Sequence, residues 1–173
     1  FNELLRLKEK NNRKIKYFEK HSHLKSYIKF FSEKIESQDR NLWFQSSIDY
    51  FKESDIVFLD ADNGLIVDSI RDKSKKSKKY IQLSELKKLY NAGKTIIFTQ
   101  FQSYSLKHHP MLKKKVTQLK KEVNLNVNCP IIRNRSAPNT FYISIAQKNH
   151  VNALKNTISK FSKTNNWTEL IKI

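Results

Sequence analysis

The sequence has 173 residues, with 34 Lys and Arg against 16 Asp and Glu and a formal charge of +18, a length that fits one domain and can bury a core. Its two glycines, Gly64 and Gly93, exclude a glycine-rich phosphate loop or dinucleotide turn within the chain, and its single Cys129 excludes a disulfide framework or cysteine-clustered zinc site. No apolar run reaches the roughly 18 residues of a membrane span and no secretory leader opens the chain, so a cytoplasmic protein with no membrane partner is expected.

Residues 1–53 read as helical. Leu4, Leu5, Leu7, Ile15, Tyr17 and Phe18 fit one or two amphipathic helices broken near Asn11-Asn12. Leu24, Tyr27, Ile28, Phe31 and Ile35 form an i, i+3, i+4 stripe that predicts a helix from His23 to Ile35. Asp39 is a candidate cap for a helix carrying Leu42, Trp43, Ile48 and Phe51 and ending near Glu53-Ser54. Phe1 stands where an initiator Met is expected, so a longer parent chain is anticipated.

From residue 54 the pattern changes to sheet. Ile56 to Leu59, four apolar residues between Asp55 and Asp60, predict a strand buried on both faces. Asp62-Asn63-Gly64 is a turn signal, because Asn and Gly tolerate positive φ, and the lysine-rich stretch after it reads as a loop. Ser84 is a candidate cap for a helix to Asn91, with Gly93 just beyond and a strand from Thr95 to Thr99. A helix follows from near Pro110 to Glu122, then a strand region from Asn124 to Ile132 and a polar loop from Arg133 to Asn139. A strand from Phe141 to Ala146, a helix from Val151 to Phe161 and a short strand within Trp167 to Ile173 complete the chain. Alternating strands and helices predict one α/β domain, a three-layer Rossmann-like fold with a mostly parallel sheet and an extra helical N-terminal part.

The charge is clustered. Lys73, Lys75, Lys76, Lys78 and Lys79 lie within one short stretch, and Lys113, Lys114 and Lys115 form a second group. AT-rich codon usage raises Lys, Asn and Ile, but it raises Glu and Asp too, and these are scarce here. A nucleic-acid partner, DNA or RNA, is therefore expected. Arg133 and Arg135 are further candidates for phosphate, since guanidinium binds phosphate bidentately. Tyr80 and Tyr104 follow loops near the expected crevice and are candidate base-stacking residues. His21, His23, His108 and His109 lack partners at metal-ligand spacing, and Cys129 reads as a packed thiol.

Ligands of open α/β sheets bind beyond the carboxyl ends of strands. Asp60-Ala61-Asp62-Asn63-Gly64 falls at such an edge, with Thr99 and Gln100 ending the neighbouring strand. Asp60, Asp62, Asn63, Thr99 and Gln100 are thus the candidate catalytic residues. The same five-residue motif also makes an Asx turn without any chemistry.

The segment resembles an uncharacterised family of bacterial proteins with a D-P-D-N-G motif after an apolar strand. Arg40-Asn41-Leu42-Trp43, Phe58 to Leu65, Lys79-Tyr80 and Thr95 to Gln100 carry the resemblance over roughly Arg40 to Ala146. The motif strand in turn resembles that of Rossmann-like nucleic-acid methyltransferases, whose acidic or Asn-led motif receives the target amine. The resemblance implies that Asp60 and Asn63 accept from that amine, that Asp62 fixes the turn, and that S-adenosylmethionine is the cofactor. Ala61 replaces the Pro, and the cofactor's glycine-rich motif is absent from the chain. A second likeness, to haloacid-dehalogenase phosphatases, implies Mg²⁺-dependent phosphatase or nuclease chemistry on Asp60 and Asp62. There Gly64 replaces the usual Thr, and downstream of Thr99 the only acids are Glu122 and Glu169. A non-catalytic basic binding module is the third reading.

Overall fold

The computed structural model describes residues 26–35, 39–71, 74–103, 105–135 and 139–173. The chain divides into two compact units, Phe1–Lys52 and Glu53–Ile173.

In the first unit, helix α1 (Arg40–Tyr50) follows Asp39, which stands at the N-cap position without a side-chain capping bond. Residues 28–35 are not helical, unlike the expected His23–Ile35 helix. An amphipathic helix is held mainly by burying its stripe, and here Tyr27 is 86% exposed. Phe31 instead joins an aromatic cluster, 5.6 Å from Trp43 and 5.5 Å from Tyr50 between ring centroids. The Trp43 indole donates to the Glu33 carbonyl (3.0 Å). The helices expected before residue 24 lie outside the described residues.

The second unit is α/β. Strand β1 (Ile56–Leu59) leads through a 3₁₀ turn (Lys75–Lys79) and helix α2 (Leu83–Asn91) to β2 (Thr95–Phe101). Helix α3 (His108–Val123), strands β3 (Ile131–Asn134) and β4 (Thr140–Ile145), helix α4 (Val151–Thr164) and β5 (Thr168–Ile171) complete it. The lysine-rich stretch is therefore partly 3₁₀ helix, pinned by buried Ser77, whose hydroxyl donates to the Ser74 carbonyl (2.7 Å). Helix α2 starts one residue before the expected cap, with the Glu85 carboxylate accepting from the Gln82 N–H (3.1 Å). Asn124, expected to open a strand, is the left-handed terminator of α3 (φ 55°). Arg133 and Asn134, read as loop, close β3.

The five strands lie in the order β1-β2-β4-β3-β5. β1 pairs parallel with β2, while β2–β4, β4–β3 and β3–β5 are antiparallel. The sheet is thus mixed and mostly antiparallel, a correction to the mostly parallel expectation. A parallel pair needs a long crossover, which α2 supplies between β1 and β2. β3 and β4 are joined by a short hairpin and must run antiparallel, and β4 inserts beside β2, separating it from β3.

The register sorts the side chains into two faces. Val57, Ile96, Phe98, Ile131, Phe141, Ile143, Ile145 and Ile171 share one face, and all are buried. On the other face α4 covers only the β3–β5 side, where Ile132 and Leu170 pack on a cluster of Cys129, Ala146 and Ile158. At the other end of that face Ile56 and Phe58 are 50% and 52% exposed. β1 is consequently buried on one face, not on both as expected, because it is an edge strand beyond the reach of α4. No described helix is long and apolar enough to cross a membrane.

Candidate functional site

β1, β2 and β3 run in one direction, so their carboxyl ends share one edge of the sheet. Asp60 stands there, exposed, one residue beyond β1. The Thr99 hydroxyl donates to Asp60 Oδ1 (3.1 Å). Thr99 itself is buried, so it steers a carboxylate whose other surface stays open to solvent.

The turn after Asp60 is fixed from below. Gly64 adopts φ +73°, and a Cβ there would lie 2.6 Å from the Gln100 amide oxygen. That oxygen accepts from the Leu65 N–H (3.0 Å), and the Gln100 NH₂ donates to the Phe101 carbonyl (3.0 Å). Gln100 therefore props the turn on the face opposite Thr99, with both ends of its amide engaged. Gly64 and Ile66 are laced to Ile81 by backbone bonds of 2.9 and 3.0 Å, and the Asn63 N–H donates to the Lys79 carbonyl (3.0 Å).

Lys115 completes the prop. It is buried on α3, and its Nζ donates to the Leu65 and Ile66 carbonyls (3.3 and 3.1 Å). Burial, and then the neighbouring Lys114 charge, push its ammonium below the usual lysine range, against the pull of Asp68 and Glu122. The unfolded chain therefore binds more protons at this site, and its contribution to stability rises with pH. The rise falls between the lowered folded pKa and the ordinary lysine value of roughly 10.4. In urea titrations from neutral to alkaline pH, the stability of the wild type relative to Lys115→Met is expected to climb through that window.

Asp62 and Asn63 are exposed on the outer side of the turn, and Asp62 faces Lys79 (3.8 Å). The two carboxylates are thus engaged by different partners, Asp60 by Thr99 and Asp62 by Lys79. Among the described residues no three His, Cys, Asp or Glu side chains gather as a metal-ion cluster. The methyl donor implied by the sequence resemblance has no glycine-rich cradle here either. Gly64 is spent in the motif turn, and Gly93 closes α2 with φ +79°.

The expected phosphate contacts divide into two kinds. Lys75, Lys76, Lys79, Lys113 and Lys114 are exposed, while Lys78 and Tyr80 are half-buried. Lys115 is consumed by the turn. Arg133 is consumed as well, its guanidinium bound to Glu169 (2.9 Å) and to the Asn139 side-chain oxygen (3.3 Å from both Nε and Nη2). Asn139 donates onward to the Gln102 amide oxygen (2.9 Å), and His108 stacks on Phe141 at 6.3 Å. Partial burial first, then Arg133 and His109, hold the His108 imidazole below its usual range, with Glu169 opposing. Arg135 is exposed and donates to the Asn166 carbonyl. Lys73 and Tyr104 lie outside the described residues.

Two structural roles escape the sequence reading. Lys115 belongs to a run of three lysines that looks solvated, yet it shares the buried stripe of α3 with Leu112, Leu119 and Val123, which is the signal that locates it. Glu169 carries no local motif, and only the β3–β5 register, which pairs it with Arg133, identifies its partner. Compared with known protein families, curated proteins and solved structures, the chain matches none.

Proposed function

We propose that the protein binds nucleic acid and presents Asp60 as the acceptor for an exocyclic amine of a base, in the manner of Rossmann-like nucleic-acid methyltransferases. One observation carries this reading: an exposed carboxylate, oriented by a buried Thr99, stands at the carboxyl edge of a parallel β–α–β unit beside a lysine-bearing turn. Such an edge is where α/β sheets bind ligands. The rigid turn supports the same reading. Gly64, Gln100 and Lys115 hold the backbone so that Asp60 needs no reorganisation to accept a hydrogen bond.

The charge distribution supports one arrangement of a nucleic acid over the reverse. Asp60 repels phosphate and attracts N–H donors. Lys75, Lys76 and Lys79 on the neighbouring turn attract phosphate in any sequence. The strand's backbone thus lies on the lysines and a base edge reaches Asp60.

The test compares short single strands that differ at one position, adenine against purine, which lacks the amine. A hydrogen bond to a charged group contributes about 1.5–3 kcal/mol, so wild type is expected to prefer adenine by roughly 10- to 100-fold. Asp60→Asn is expected to erase most of that preference while binding the purine strand slightly more tightly, because a negative charge is gone. Equal affinity of the wild type for both strands would remove Asp60 from recognition.

A further inference from the structure

We infer that Phe58 and Tyr142 form a stacking platform for a single unpaired nucleobase, delivered edge-on to Asp60. The inference rests on the nucleic-acid reading above and names the form its substrate takes.

The register brings the parts together. Tyr142 pairs with Thr99, and Phe58 with Ile97, so both rings project from the face that carries Thr99. Two residues on from Phe58 the alternation returns to that face at Asp60, and the Thr99–Asp60 bond fits this. The two rings lie 6.4 Å apart at 29°, a stacked arrangement, and Phe58 is 52% exposed. An aromatic plane thus lies open beside an oriented carboxylate.

A half-exposed Phe is ordinary on a protein surface, but one that stacks with Tyr142 on the face of the Thr99–Asp60 bond offers a ligand both a ring and a carboxylate. Three occupants would remove it from water. A second copy of this chain meets its own charge of +18. An anionic group large enough to cover a ring meets the Asp60 carboxylate. A neutral aromatic heterocycle with amine hydrogens satisfies the ring by stacking and Asp60 by hydrogen bonding, while its phosphates remain on the lysine turn. A paired base offers its neighbours, not this site, its faces, so the base must be unpaired or turned out of the stack.

The experiment uses the full chain and a short single strand with one 2-aminopurine, whose fluorescence reports stacking on an aromatic ring. Wild type is expected to quench the probe on binding. Phe58→Leu, which keeps apolar bulk and removes the ring, is expected to lose the quenching and about 5- to 100-fold in affinity, with an unchanged salt dependence. Phe58→Tyr, which keeps the ring, is expected to retain both and serves as the control for folding. Full quenching and affinity in Phe58→Leu overturns the platform and leaves the nucleic-acid reading standing. Ring-dependent self-association of the wild type, with no quenching, overturns it in favour of a second copy as the cover. Absence of binding to any strand at low salt removes the underlying reading itself.

Discussion

Gly64→Ala is expected to lower the stability of the protein by about 2–5 kcal/mol, the largest effect of any single small substitution at the site. Two causes add. Alanine at φ +73° costs roughly 1–2 kcal/mol through contact of its Cβ with the backbone. Its Cβ would also lie 2.6 Å from the Gln100 amide, so Gln100 must leave and the buried Leu65 N–H loses its acceptor. An orphaned buried donor costs about 1–3 kcal/mol. Gly93→Ala is the matched control, since Gly93 has φ +79° but nothing within 4 Å of an added Cβ. It is expected to show only the backbone cost, about 1–2 kcal/mol. Urea denaturation of the two variants reads the difference. In Gly64→Ala combined with Gln100→Ala, the second change is expected to cost less than it does alone, because the clash and the lost bond share one partner. Equal losses at Gly64 and Gly93 would mean that Gln100 does not prop the turn.

Neutralising Lys75, Lys76 and Lys79 together with Gln is expected to weaken single-strand binding by about 100-fold at 0.15 M salt. Each lysine–phosphate pairing contributes a slope of about 0.7–0.9 in log affinity against log salt. Removing all three charges should therefore flatten the slope by about 2–3. The substitutions fall on exposed side chains, where stability changes are usually within about 0.5 kcal/mol. Lys115→Met provides the contrast. Its ammonium is buried against the Leu65 and Ile66 carbonyls, so the salt slope is expected to stay unchanged although the protein is less stable. Filter binding across a salt series separates the two. A triple variant with the wild-type slope would place the phosphates elsewhere.

The sequence reveals most of the elements of the sheet-bearing unit, because β1, β2 and β4 are short apolar runs and α3 and α4 carry helical stripes. Strand direction is less legible. Nothing local to Phe141 or Ile143 says that β4 slips between β2 and β3, an insertion that joins the β3–β4 hairpin and the β3–β5 pair in making the sheet mostly antiparallel. Burial at Phe58 is illegible for a similar reason. Four apolar residues look buried on both faces until α4 proves to cover only the β3–β5 end of the face that carries Phe58. At the site itself, Asp60 and Thr99 belong together by sequence logic, since both close apolar strands. Gln100 is different. It follows Thr99 and looks like another edge residue, yet alternation sends it to the other face, where it carries the turn. Arg133 has the composition of a phosphate ligand and is neutralised by Glu169, a partner 36 residues away.

The most direct test of nucleic-acid binding at this edge is one gel: the protein with end-labelled DNA and RNA single strands across a salt series, with Mg²⁺ or with chelator. Intact strands are expected to be retarded at low salt, to be released steeply as salt rises, and to behave alike with metal and with chelator. Strands that run freely at low salt would contradict nucleic-acid binding. Cleavage that needs Mg²⁺ would contradict the acceptor role of Asp60 and make Asp60 and Asp62 a metal site.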